Sequence, residues 1–153
     1  MATVKKITDD LEKARITRYV LEALPEWFEV EESREGYIKD NKDRTFFAAF
    51  DGDDVIGFLY LKPTSPHTVE IAVMGVLKTN HHHGAGRALV EAAKDSARED
   101  GYSFMQVKTV EEGVYEDYDI TNAFYKAVGF KELEVFPEHW DELNPCQVYI
   151  MSL

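Results

Sequence analysis

Apolar residues in this chain change their spacing several times, and each change marks an element. From Thr8-Asp9-Asp10 onward, Ile16, Val20 and Leu24 recur at helical spacing until Pro25, which predicts a first helix with a capped start. The opening Met-Ala-Thr-Val-Lys-Lys reads as a charged lead-in to it. An aromatic connection, Glu26-Trp27-Phe28-Glu29, precedes a second helical stretch over about Glu31 to Lys39. Thr45 to Phe50 and Val55 to Leu61 read as strands, and Asp51-Gly52-Asp53-Asp54 between them is a hairpin signal. After the loop Pro63-Thr64-Ser65-Pro66 comes the most apolar strand, Val69 to Leu77, then a polar turn, Lys78 to His83. Gly84-Ala85-Gly86 opens a helix that runs through Leu89, Val90 and Ala93 to about Asp100-Gly101. Ser103 to Thr109 is again strand-like, so strand, helix and strand predict a parallel crossover. Val110 to Tyr118 reads as an acidic loop, and Thr121 to Val128 as a short helix that Gly129 ends. Lys131 to Phe136 and Gln147 to Met151 read as a last strand pair around the connection from Pro137 to Pro145. The pattern predicts one mixed α/β domain over residues 1–153, without repeats or linkers.

Composition narrows the partners more than the fold. A chain of 153 residues with 44% hydrophobic residues can bury a sizeable core. No apolar run approaches the roughly 20 residues of a membrane span. A net charge of −12 opposes nucleic-acid binding and favours cationic ligands. The single cysteine, Cys146, excludes an intramolecular disulfide and fits a reducing cytosol, so a cytoplasmic protein is expected. No signal peptide is read at the start.

Candidate chemistry begins at Gly84-Ala85-Gly86. A strand followed by a glycine loop and a helix start presents backbone N–H groups and the positive end of the helix dipole, which together make an anion site. A phosphate-binding P-loop needs Lys-Ser/Thr after the last glycine, but Arg87-Ala88 stands there. The dinucleotide fingerprint needs Gly or Ala three residues beyond Gly86, where Leu89 stands. What remains resembles the pyrophosphate loop of the GNAT superfamily of acetyl-coenzyme-A-dependent N-acetyltransferases, whose pattern is Arg/Gln-x-x-Gly-x-Gly/Ala. Here it reads His81-His82-His83-Gly84-Ala85-Gly86, followed by Arg87-Ala88-Leu89. His81 departs from the usual Arg or Gln. A second block, Phe124-Tyr125-Lys126-Ala127-Val128-Gly129-Phe130, resembles the family's helix that closes against the thiol end of coenzyme A. The element order is also similar to the GNAT fold. That likeness implies a central mixed, mostly antiparallel, twisted sheet of about six or seven strands. It also implies flanking helices and a splayed parallel pair at the cofactor site.

The resemblance implies roles residue by residue. Tyr125 would donate a proton to the leaving thiolate. Many members have Asn seven residues before this tyrosine. Tyr118 stands there, so Asn122 is considered for that cofactor contact. Glu70, fourteen residues before Gly84, has the spacing of the general base of histone-acetylating relatives; the alternative is a strand-end carboxylate that faces solvent or pairs with an Arg or Lys. A base is needed because an alkylamine with a pKa of about 10.4 is neutral only about once in a thousand molecules at pH 7. Apolar strand neighbours would raise the carboxyl group's pKa into a useful range, and alternation places Glu70 with Ala72 and Met74. Glu112 and Tyr115 are alternative bases in the acidic loop. Met74, Gly75 and Val76 would offer backbone groups to pantetheine, Gly75 at a bulge. His81, His82, His83 and Arg87 would lie by the phosphates, with Lys126 a further positive charge there. Trp27, Phe28 and Tyr37 fall where the family builds its acceptor pocket.

Adjacent histidines in one turn do not converge easily on one ion, so no metal is expected. Cys146 lacks a nucleophile motif and reads as a buried strand residue. The segment Phe136 to Cys146 resembles the C-terminal part of a group of uncharacterised bacterial members. The resulting expectation is a GNAT-type enzyme that moves an acetyl group from acetyl coenzyme A to a primary amine of a small or peptide acceptor by direct attack. The rival reading is a non-catalytic acyl-coenzyme-A-binding or sensor domain. Dimers are frequent among relatives, which leaves a homodimer open.

Overall fold

The computed structural model describes residues 2–81 and 83–153. The elements run β1 (Thr3–Ile7), α1 (Asp10–Glu22), α2 (Glu31–Asp40), β2 (Thr45–Asp51), β3 (Asp54–Pro63), β4 (Thr68–Val76), α3 (Ala85–Glu99), β5 (Phe104–Val110), α4 (Glu116–Ala127), β6 (Lys131–Asp141) and β7 (Asn144–Ser152). A single 3-10 turn, Lys78–Asn80, stands between β4 and α3. The strands form one seven-stranded sheet in the order β1-β2-β3-β4-β5-β7-β6. β1 with β2, β2 with β3, β5 with β7 and β6 with β7 pair antiparallel and β4 with β5 parallel, so the sheet is mixed and mostly antiparallel with a parallel pair. By its contacts the chain divides into two compact units, Met1–Lys62 with Ala72–Ser96, and Pro63–Ile71 with Ala97–Leu153.

The first unit is built on α1 and the β2–β3 hairpin. Asp9 caps α1 by accepting from the Glu12 amide at 2.9 Å, and the cap leaves the apolar stripe Ile16, Val20 and Leu24 buried. That stripe packs on Phe46, Phe58 and Tyr60, whose rings stack with centroids 5.4–6.5 Å apart. The hairpin closes with Asp51 opposite Asp54, and Gly52 takes the positive φ of 62° that the tight turn requires. β1 departs from the sequence reading, which found no strand there. Only Ile7 of Thr3–Ile7 is buried, and Lys5 and Lys6 break the alternation. β1 is an edge strand, where charged residues are common and the pattern fades.

The second unit holds β5, α4 and the β6–β7 hairpin. α4 starts at Glu116, ahead of the expected Thr121, because Glu116, Asp117 and Asp119 complement the dipole of its first turn. A run of acids before the first apolar repeat resembles a loop when only hydrophobic period is read. β6 extends to Asp141 through Pro137, which the sequence reading placed in a connection. β6 closes the edge of the sheet, where a proline removes no ladder hydrogen bond. Its register with β7 shifts between Phe136 and Asp141, which absorbs the extra residues.

Candidate functional site

β4 alternates half-buried and buried residues along its whole length, which puts Glu70, Ala72 and Met74 on the less buried face and Val69, Ile71, Val73 and Gly75 on the other. Gly75 is small because α1 presses on it: a Cβ there would stand 3.1 Å from Val20 Cγ1 and from Leu24 Cδ1. Its neighbour across the sheet is equally constrained, since a Cβ on Gly57 would come within 2.9 Å of the Gly75 carbonyl oxygen. Close packing beside large neighbours, the other use that the sequence allows for a glycine within a strand, therefore accounts for Gly75.

Beyond β4 the chain is pinned before it reaches the glycine loop. The Leu77 amide donates to Ile56 O at 2.8 Å, and Asn80 N donates to Leu77 O at 2.9 Å. His81 Nε2 lies 2.7 Å from Val76 O. A carbonyl only accepts, so Nε2 carries the proton, and this ring nitrogen braces the end of β4. The edge of Trp27 meets the His81 ring at a centroid distance of 5.9 Å. His83 is exposed, and His82 lies outside the described residues.

Gly84 has φ +84°, and no atom lies within 4 Å of where its Cβ would be. Its carbonyl accepts the first intrahelical bond of α3, from Ala88 N at 3.0 Å. The amides of Ala85 and Gly86 therefore belong to the first turn, which a helix cannot satisfy from within. The first turn of α3 contains no acidic residue. Those of α1, α2 and α4 all do. In a chain of net charge −12, α3 thus keeps an uncompensated positive end, preceded by an open glycine. That suits a bound anion such as pyrophosphate. Ala85, Leu89, Val90 and Ala93 are buried and hold the helix in place, while Arg87 is exposed.

The aromatic residues of the connection between α1 and α2 separate into two pairs. Trp27 goes to His81, and Phe28 meets Tyr37 edge-on at 6.2 Å. All three pack partly buried against the core of the first unit. Burial pushes the Tyr37 phenol up from its ordinary value, while the Tyr37 backbone carbonyl accepts from Tyr60 OH at 3.0 Å. Glu26 and Lys78 form an ion pair that ties the connection to the turn after β4. The hydrogen bond from Lys78 holds the Glu26 carboxyl below its ordinary value.

In the second unit Glu70 has polar company. Its Oε1 accepts from Gln106 Nε2 at 2.9 Å and pairs with Lys108 Nζ at 3.0 Å; 13% of its side chain is exposed. The apolar surroundings expected from its own strand are displaced by side chains of β5. Parallel pairing sets Glu70 opposite Gln106 and Ile71 opposite Val107. Gln106 and Lys108 were missed by sequence reasoning. A signal existed, because they alternate with the buried Met105, Val107 and Thr109 along β5.

Tyr125 is buried on α4, with its ring against Phe130 at 5.7 Å, edge-on, and Tyr149 at 6.0 Å. Burial, with a smaller push from Tyr118, raises its phenol far above the ordinary value, so the hydroxyl holds its proton throughout the neutral range. Asn122 is fully buried with both ends of its amide engaged. Nδ2 donates to Val110 O at 2.9 Å and Tyr118 O at 2.7 Å, and Oδ1 accepts from Tyr149 OH at 2.6 Å. Asn122 thereby fastens α4 to β5 and β7. Glu112 is exposed and accepts from Lys126 Nζ at 2.8 Å, a bond that raises the Lys126 ammonium pKa. Tyr115 caps α4 in an extended conformation and is exposed, with Tyr118 6.0 Å away. Cys146 is buried, and burial pushes its thiol up.

Among the described residues, no group of three or more His, Cys, Asp or Glu could hold a metal ion. Among the same residues, no helix is long and apolar enough to cross a membrane.

Comparison with known proteins gives a consistent result. The model of the acetyltransferase (GNAT) family matches residues 9–130. An uncharacterized N-acetyltransferase of Chlorobaculum tepidum is 31% identical over 106 residues, covering 67% of this chain and 62% of that relative's own length. A structure from Desulfovibrio desulfuricans described as a GNAT-family acetyltransferase superposes with a TM-score of 0.84 at 18% identity, covering 99% of each chain. A GNAT-family acetyltransferase from Elizabethkingia anophelis with acetyl-CoA bound has a TM-score of 0.70 at 17% identity, covering 99% of this chain and 98% of that one.

Proposed function

The chain belongs to the acetyltransferase (GNAT) family, and on that premise we propose that residues 1–153 act as one catalytic domain that transfers an acetyl group from acetyl coenzyme A to a primary amine. The observation that carries this reading is the start of α3: an open glycine at φ +84° and a first turn without acids, in a strongly acidic protein. The Elizabethkingia neighbour's bound acetyl-CoA supports the choice of ligand, and the Chlorobaculum relative's name supports nitrogen as the acceptor atom.

In this proposal the amides of Ala85 and Gly86, at the open start of α3, hold the pyrophosphate, and the backbone of Met74 to Val76 holds pantetheine. The bound thioester supplies an activated acetyl carbon. Glu70 takes the proton of the attacking amine, directly or through water, and its half-buried position beside Gln106 keeps the carboxylate oriented. Tyr125 gives its proton to the departing thiolate. A phenol that burial keeps protonated has that proton available at neutral pH. Trp27, Phe28 and Tyr37 form the wall for the acceptor. The net charge of −12 favours a cationic one.

The test is calorimetric titration with acetyl coenzyme A, desulfo-coenzyme A, ATP and NAD, followed by thiol release over a panel of alkylamines, polyamines and basic peptides. Selective coenzyme binding with amine-dependent thiol release is expected. Binding without thiol release on any amine would favour a sensor domain, and a preference for ATP or NAD would overturn the reading of the loop.

A further inference from the structure

The Glu70 carboxylate is already in contact with an amine. Lys108 Nζ lies 3.0 Å from Glu70 Oε1, and its side chain is 31% exposed. We propose that Lys108 is a self-acetylation site: its ε-amine is the acceptor nearest the base, and the protein transfers an acetyl group to it when no other amine is supplied. This inference rests on the proposed function and on Glu70 as its base.

Three observations lead there. First, the contact is fixed by strand register, since Gln106 sits opposite Glu70 on the parallel neighbour and Lys108 follows two residues on, on the same face. Second, Glu70 lies on the less buried face of β4, between the buried Val69 and Ile71, so its carboxylate is not enclosed by the core. Third, the competing nucleophile is excluded. Cys146 feels the charges of both Lys108 and Glu70, but its thiol is fully buried and held protonated by that burial. Of the two nucleophiles beside Glu70, only the lysine reaches solvent.

The step balances without another reactant. The Lys108 ammonium gives one proton to the Glu70 carboxylate, which passes it to water. The freed amine attacks the thioester carbonyl carbon. A C–N bond forms and the C–S bond breaks; the thiolate takes its proton from Tyr125, and the second proton that the nitrogen sheds restores the phenol, so coenzyme A leaves as its thiol. The product amide is neutral, so the ion pair to Glu70 is lost and the carboxylate keeps only Gln106. A soluble acceptor would compete with Lys108 for the same carboxylate.

Peptide mass spectrometry after incubation with acetyl coenzyme A, without added amine, tests this directly. Lys108 should gain an acetyl group roughly tenfold or more faster than the exposed Lys5, Lys62 and Lys131, and Glu70→Gln should abolish that excess. Lys126 is the internal control, since it pairs with the exposed carboxylate Glu112 at 2.8 Å. Preferential acetylation of Lys126 would overturn the proposal and point to Glu112 as the base. Amine-dependent thiol release with Lys108 no faster than the exposed lysines would overturn it while leaving the proposed function standing. Failure of coenzyme binding and of thiol release on every amine would overturn both.

Discussion

α3 and α4 contribute to the proposed chemistry from opposite ends. α3 acts through its beginning, where Gly84 is open, the first turn is free of acids and backbone amides are the functional groups. α4 has a beginning crowded by Glu116, Asp117 and Asp119, which complement its dipole from within the chain, and it acts through Tyr125 near its end. The difference shows how an acidic protein keeps one anion site. It places carboxylates on the other helix starts and withholds them from the one that must accept an external charge.

The largest effect should come from the functional end of α4. Tyr125→Phe keeps the ring against Phe130 and Tyr149 and removes only the proton donor. Turnover in a thiol-release assay should fall on the order of 100-fold, with coenzyme affinity changed less than about twofold. Equal turnover would remove Tyr125 from the mechanism. At the functional end of α3, Gly84→Asp combines a strained positive φ with a like charge facing the pyrophosphate. Acetyl coenzyme A affinity measured by calorimetry should drop roughly 30- to 100-fold. Unchanged affinity would place the anion elsewhere.

Two weaker perturbations sharpen the contrast. Burial pushes the Tyr125 phenol up. The unfolded chain loses that proton first, near pH of about 10, so the stabilising contribution is complete below that pH and disappears as pH rises towards the folded value. Urea midpoints should decline with pH above about 10, and Tyr125→Phe should show a shallower decline, with the share of the similarly raised Tyr60 remaining. Parallel curves for variant and wild type would mean that Tyr125 is not desolvated. The smallest effect is expected at the acidic start of α4. Glu116→Gln should lower the melting temperature by only about 1–3 °C and leave coenzyme binding unchanged. A loss of coenzyme affinity in this variant would contradict the division of labour between the two helices.

Sequence reasoning succeeded where a signal is local. The apolar periods of α1 and β4 and the turn at Gly52 all depend on neighbours within a few residues, and they appear where their pattern predicts. Edges were harder. β1 carries one buried residue and two lysines, and β6 continues through Pro137, because an edge strand answers to fewer packing constraints than a central one. The start of α4 was hidden by its own acids, which carry no hydrophobic period.

Long-range partners were not legible. Asn122 is a candidate for a cofactor contact, and nothing local announces that its oxygen accepts from the hydroxyl of Tyr149, 27 residues later. For Glu70 the sequence leaves apolar neighbours and a pairing with Arg or Lys both open, and only the register of β5 names the partners, Gln106, 36 residues away, and Lys108.

The sequence by itself determined the order of elements from α1 onward, the glycine loop and its family, because turn conformation, helix start and the amides of a first turn are properties of a short stretch of chain. Only the tertiary structure decided what touches Glu70, why Gly75 must be small and where Asn122 bonds. Those answers depend on strand register and on helix α1 lying over β4, which bring residues far apart in the chain within a few ångströms.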